Sequence, residues 1–295
     1  NASVAAADIS TIAGDTSGTV TVTNNIIITG TAAAITTAVA DVNSFSGTPT
    51  AALSNAHNLA QLKAINNAVD GTLTLNDYSV ALAGSAADIK AALAGTFAAS
   101  YTGNVSIDDA NGTGITAADI STIAGATSGT VTITNNINIT GTAAQIETAV
   151  GDVNTFSGTP TATLSNAHTT AQLATINTAL SGQLTLNDYT VALSGTSAQV
   201  AAALDGTFAA PYTGTATVSN AHTLAQLKKI NDGTTGTITL NDVTVALSGS
   251  TADVKAALNG TFAAAYTGNV TLSDANSTAI AAADISTINS ATTGT

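Results

Sequence analysis

The sequence contains no cysteine, methionine, tryptophan or arginine. Without cysteine there is no disulfide framework, no thiolate zinc site and no thiol nucleophile. The basic residues are five lysines (Lys63, Lys90, Lys228, Lys229 and Lys255) against 18 acids, for a net charge of −13. Nucleic-acid binding needs clustered Lys and Arg to replace phosphate counterions, so no nucleic-acid partner is expected. Long apolar runs are also missing. Residues 16–40 carry no charge, but Thr, Asn and Gly interrupt them, and no stretch reaches the ~20 mostly apolar residues of a bilayer-crossing helix. Aromatics are 3% of the chain, yet 44% of its residues are hydrophobic. That is too apolar for disorder and too poor in large side chains for one conventional core; small side chains suit a thin, repeated one. No signal peptide is visible and residue 1 is Asn, which reads as a mature or excised chain.

What the sequence does have is repetition. Residues 9–25, ISTIAGDTSGTVTVTNN, return at 120–136 as ISTIAGATSGTVTITNN, an offset of 111. The same offset carries SNAH from Ser54 to Ser165 and LTLNDY from Leu73 to Leu184. A smaller unit lies inside it, marked by Gly18, Gly71, Gly129, Gly182, Gly236 and Gly294, at intervals of 53 to 58 residues. Five units follow, at about 18–70, 71–128, 129–181, 182–235 and 236–293, and residues 1–295 read as one continuous array. Its two ends share one phase, since Ala7–Ile12 returns as Ala283–Ile288. Repeat arrays normally finish in a polar cap, so the expectation is a segment of a longer protein.

Within a unit, Thr215–Val218 alternates polar and apolar, Ser219–His222 turns, and Leu224, Leu227 and Ile230 fall at helical spacing. A second strand over Thr237–Leu240, a corner at Asn241-Asp242, a further strand over Val243–Leu247 and a helix on Val254 and Leu258 complete it. Each unit thus holds two strand–helix turns of roughly 27 residues, in the size range of leucine-rich repeats. Capping boxes are readable at Ser85/Asp88, Thr142/Gln145, Thr169/Gln172, Thr196/Gln199, Thr223/Gln226 and Ser250/Asp253. Gly95, Gly206 and Gly260 stand where left-handed C-terminal caps belong. The strands, at Thr19–Thr23, Thr72–Leu75, Thr130–Thr134, Gln183–Leu186 and Thr237–Leu240, put aliphatic residues on one face and mostly Thr on the other. With right-handed crossovers between parallel strands, the expected fold class is α/β: a right-handed α/β solenoid of stacked strand–helix coils.

Candidate functional residues are repeats as well. Asn24, Asn25, Asn55, Asn76, Asn135, Asn136, Asn166, Asn187, Asn220 and Asn241 recur at strand-to-turn corners, where an amide can satisfy off-ladder backbone groups of adjacent coils. Phe45, Phe97, Phe156, Phe208 and Phe262 recur once per unit, followed at four residues by Tyr101, Tyr212 and Tyr266 in the later type; core stacking is expected. His57, His168 and His222 sit in SNAH without a nearby carboxylate cluster, which argues against a metal or catalytic role. A catalytic site is singular, and no G-x-S-x-G turn or residue unique among the repeats is present; the chain is expected not to be an enzyme. The most distinctive polar stretch is 108–119, DDANGTGITAAD, partly echoed at 274–284. Its D-x-N-x-T-G opening resembles an EF-hand or dockerin calcium loop, which makes Asp108, Asp109, Asn111, Thr113 and Asp119 candidate calcium ligands. Against that, position 5 is Thr, the closing acid comes one residue early and the echo lacks the glycine; the alternative is an acidic loop that caps the next helix.

The G-T-A-A-x-I/V helices after T-x-T strands, at Gly30–Ala33 and Gly141–Ala144 with variants at Gly195 and Gly249, resemble the tandem repeats of very large cell-surface and secreted proteins of marine cyanobacteria and other aquatic bacteria. The resemblance covers the whole chain. It implies an extracellular or cell-surface structural role, as filament, surface layer or adhesin stalk, with self-association end to end or laterally. The alternative is a repeat-based binding module, a glycan adhesin or an ice-binding array on Thr rows such as Thr19/Thr21/Thr23.

Overall fold

The computed structural model describes residues 1–295. The fold is α/β, with parallel strands alternating with eleven short helices. These are α1 (Ala6–Gly14), α2 (Ala32–Asp41), α3 (Leu59–Ala68), α4 (Ala86–Leu93), α5 (Ala117–Gly125), α6 (Ala143–Asp152), α7 (Thr170–Ala179), α8 (Ser197–Leu204), α9 (Leu224–Gly233), α10 (Thr251–Leu258) and α11 (Ala282–Ala291). Successive helices begin 26 or 27 residues apart, except across the two acidic loops, where α5 and α11 start 31 residues after their predecessors. No helix is long and apolar enough to cross a membrane.

The chain forms two compact units, residues 1–137 with 152–158, and residues 138–151 with 159–295. In the first, Ala2–Ala5, Ile26–Gly30, Thr50–Leu53 and Leu73–Thr74 pair in that order, all parallel. A second parallel set there runs Leu82–Gly84, Val105–Ile107, Val131–Ile133 and Thr155–Phe156. In the other unit Asn138–Gly141 pairs with Thr161–Leu164 and that with Leu184–Thr185, while Leu193–Gly195, Ala216–Val218 and Ile238–Thr239 form another parallel set. Register partners such as Ile28 with Ala51 and Leu193 with Ala216 lie one strand–helix module apart in sequence.

Burial follows the two periodicities. Thr50–Leu53 buries Ala51 and Leu53 and leaves Thr50 and Ala52 half-exposed, the alternation of a strand with one covered face. Helix α2 buries Ala32, Ile35, Ala38 and Val39, a stripe at i, i+3, i+6 and i+7. Helices of eight to ten residues are too short to persist alone; each is held by this stripe and by its neighbours, α3 against α4 and α8 against α9 for example.

Several sequence expectations need correction. The strands are shorter than the T-x-T runs: Thr19–Thr23 reduces to Thr21–Val22, and Gln183–Leu186 to Leu184–Thr185. The strand expected over Val243–Leu247 runs instead from Leu247 to Gly249. Asp242 is the reason, because its Oδ1 accepts from both the amide and the hydroxyl of Thr244, at 2.8 and 2.6 Å, and this turn takes residues 242–244 out of extended pairing. Capping boxes are complete at Thr142, Thr169, Thr196 and Thr223, and also at Asn58 with Gln61, while at Ser85 and Ser250 only the serine half forms. Gly95, Gly206 and Gly260 are not left-handed. A Cβ at any of them would collide with the side-chain oxygen of Asn66, Asn177 or Asn231. Those asparagines donate from Nδ2 to Ala91 O (2.7 Å), Ala203 O (2.5 Å) and Ala256 O (2.5 Å), so the helix-end carbonyls are capped by the preceding module rather than by a left-handed turn.

Candidate functional site

Three of the corner asparagines cap helix starts in the preceding module. Asn55 Oδ1 accepts from Ala32 N (2.7 Å), Asn166 from Ala143 N (2.8 Å) and Asn220 from Ser197 N (2.7 Å), each across 23 residues. Ala32, Ala143 and Ser197 are the first residues of α2, α6 and α8, whose amides have no partner inside the helix. A helix N-terminal bond of this kind is worth about 1 kcal/mol, and here it also ties one module to the next. The acidic loops use the same seat: Asp109 Oδ2 accepts from Ala86 N at 2.7 Å, and Asp274 accepts from Thr251 N and its hydroxyl.

That placement bears directly on the candidate calcium ligands. Asp109 is engaged at the start of α4, and Asn111 Oδ1 accepts from Asn136 N at 2.9 Å. Asp119 pairs with Lys90, which together with the Thr116 hydroxyl holds its carboxyl below the usual range. Asp108 is exposed, its backbone carbonyl taken by Asn135 Nδ2 at 3.0 Å. Thr113 donates its amide to Ala110 O at 3.0 Å. The left-handed residue is Gly112 (φ 80°), with Ser277 (φ 69°) at the equivalent place, whereas an EF-hand turn needs its glycine at Gly114. No three acids or histidines converge on a point that could hold a metal ion. As these residues are arranged, an ion would have to displace the helix-capping bond and the Lys90 pair. The expected result is therefore superimposable melting curves in millimolar calcium and in chelator; a rise in Tm with calcium alone would show that the loop rearranges around the ion.

All five lysines are spent between modules: Lys63–Asp88, Lys90–Asp119, Lys228–Asp253, Lys229–Asp205 and Lys255–Asp284. Each pair is substantially exposed, so these contacts set register more than they stabilise.

Three buried polar groups are the histidines of the SNAH turns. His57, His168 and His222 are only 4–5% exposed. Their Nε2 atoms lie 3.2, 3.0 and 3.1 Å from the hydroxyls of Tyr101, Tyr212 and Tyr266, each 44 residues onward. Those hydroxyls in turn donate to the carbonyls of Val80, Val191 and Val245 at 2.6–2.7 Å. Since the tyrosine proton goes to valine, the histidine must donate from Nε2, which fixes the neutral tautomer and leaves Nδ1 bare. Nδ1 has no hydrogen-bond partner in any of the three. No carboxylate orients the ring as in a Ser-His-Asp relay; the nearest, Asp77, Asp188 and Asp242, are engaged by Ser79, Thr190 and Thr244. Burial pushes all three imidazoles below their ordinary value and Tyr266 up to about 12, with Tyr101 and Tyr212 raised as well. The fixed 44-residue separation, present three times, was the sequence signal for this pairing.

The phenylalanines depart from the expected core role. All five are half-buried, whereas Tyr101, Tyr212 and Tyr266 are 1–2% exposed. Phe97 and Phe208 tilt against their tyrosines at 6.0 and 5.7 Å between ring centroids, and both help line two equivalent open clefts. One, of about 570 Å³, runs between Leu93–Tyr101 and Gly125–Ser128; the other, of about 530 Å³, adds Asp205, Lys229 and Asp232 to its wall. No protein-family model and no curated protein matches this chain. The His–Tyr–carbonyl chain occurs once in the first unit and twice in the second.

Proposed function

We propose that the chain is a structural repeat protein, a right-handed α/β solenoid of stacked strand–helix coils that spans distance outside the cell as part of a filament, surface layer or adhesin stalk. The observation that carries this reading is the capping between modules: the first amides of α2, α4, α6, α8 and α10 are satisfied by an Asn or Asp 23 residues further on. A module built so cannot complete its own hydrogen bonds, and stacking another copy is what completes them. The likeness to the repeats of giant bacterial surface proteins and the acidic, arginine-free composition support an extracellular setting, and self-association through further coils follows from the same chemistry. A binding role for the repeats is the second reading, favoured by the two equivalent aromatic clefts, and glycan adsorption to the purified chain tests it.

The structural reading is tested by length. Inserting a second copy of residues 18–128 after Ser128 adds four coils in phase. At ~4.8 Å per strand spacing the particle should grow by about 19 Å at constant cross-section in small-angle scattering. Growth in cross-section, or a separate globule, would overturn the solenoid and the spacer role with it.

A further inference from the structure

The three buried histidines do something that rigid spacing alone does not require. At neutral pH each ring bridges two modules, donating from Nε2 to a tyrosine that donates on to a valine carbonyl. A second proton can enter only at Nδ1, where there is no acceptor and almost no access to water. The charged groups facing the rings are Asp77, Asp188 and Asp242, and Oδ1 of each is held in its own turn by the residue two positions on. Tyr101, Tyr212 and Tyr266 stay neutral. A buried, unpaired imidazolium N–H is costly, and the fold escapes that cost by opening.

We infer that His57, His168 and His222 form an acid-release device, locking adjoining modules at neutral pH and unlocking them in mildly acidic surroundings. The repeat itself supplies a contrast. In the acidic-loop copies the histidine place is taken by Asn111 and Asn276, residues that do not titrate, and Thr155 rather than tyrosine stands 44 residues after Asn111.

The direction follows from linkage. The folded-state value lies below the ordinary histidine value of 6.5, with burial outweighing the raising effect of the nearby aspartate. Above that pH neither state binds the extra proton. Below it the unfolded chain takes up protons that the folded chain refuses, and stability falls until the folded value is reached. Each histidine then lowers the folding equilibrium constant by about tenfold per pH unit. The first unit holds His57 and the second holds His168 and His222, so the expected losses are about tenfold and about a hundredfold per pH unit. Carboxylates held low, such as Asp88 and Asp253 beside their lysines, act only below about pH 4 and leave this window clear.

The test is urea unfolding of the whole chain at pH 7.5, 6.5 and 5.5, for the native sequence and for H57Q/H168Q/H222Q, in which the glutamine amide keeps a donor for tyrosine. The native chain should lose stability progressively below pH 6.5 and the triple variant should not. An unchanged acid response in the triple variant, or a flat response in the native chain, overturns the device. If the triple variant does not fold, the histidine ring-proton titrations of the native chain decide the matter: midpoints below 6.5 support it, and midpoints at or above 6.5 overturn it.

Discussion

Gly214→Ala should cost about 3 kcal/mol, at the upper end of what overpacking does. The alanine Cβ would collide with the carbonyl oxygen of Val191 and lie 2.8 Å from both its carbonyl carbon and a Tyr212 ring carbon. None of these can yield independently. Val191 O accepts the Tyr212 hydroxyl at 2.7 Å, Gly214 N donates to Tyr189 O at 3.0 Å, and Gly214 O accepts from Thr234 Oγ1 at 2.7 Å. On its other side Gly236 packs against the Gly214 carbonyl too closely for any Cβ. Relief would require the backbones of successive modules to part, which breaks the parallel register of Leu193–Gly195 with Ala216–Val218. Gly151→Ala is the internal control. It lies near the end of α6 with nothing within 4 Å of the added carbon, and should stabilise by about 0.5–1 kcal/mol through helix propensity. Urea midpoints of the two variants measure both effects, and equal midpoints would mean that the close approach at Gly214 is not a constraint.

Much of this arrangement is legible along the chain and part of it is not, for a physical reason. Helix positions follow from local signals: Thr223 with Gln226, and the stripe of Leu227 and Ile230, lie within one or two turns of each other and read directly. The four-residue lengthening of the acidic loops is likewise visible, and it shifts the start of α5 and α11. Beyond the corner asparagines, what local reading misses is the partner of each side chain that crosses from one module to another. Gly95 looks like a left-handed cap because glycine two residues after a helix usually is one; here it is glycine because Asn66, almost thirty residues earlier, occupies the space. Asp109 and Asp119 look like two ligands of one loop, yet each reaches back separately to α4, Asp109 to its first amide and Asp119 to Lys90. The histidines show the same limit, since burial and the Tyr partner follow only once the module spacing is known. In a repeat, the informative separation is the module length.

Tyr212→Phe should destabilise the second unit by about 2–4 kcal/mol although it removes one oxygen from a well-packed ring. The hydroxyl serves two groups at once, accepting from His168 Nε2 at 3.0 Å and donating to Val191 O at 2.7 Å. Tyr212 is 2% exposed and His168 4%, so neither orphaned partner can turn to water, and each stranded group costs about 1–3 kcal/mol. His168 cannot recover by changing tautomer. Moving its proton to Nδ1 would place a donor where no acceptor exists and leave Nε2 facing a phenyl edge. Tyr189→Phe removes a hydroxyl from the same unit under different conditions. Its oxygen accepts only from Leu186 N at 3.1 Å, the ring is half-buried, and Val243 fills the equivalent place in the next repeat. That substitution should cost under about 1 kcal/mol. If chemical denaturation gives the two variants the same loss, the His–Tyr–carbonyl chain contributes no more than an ordinary surface bond; a gap of about 2 kcal/mol or more identifies it as a principal tie between modules.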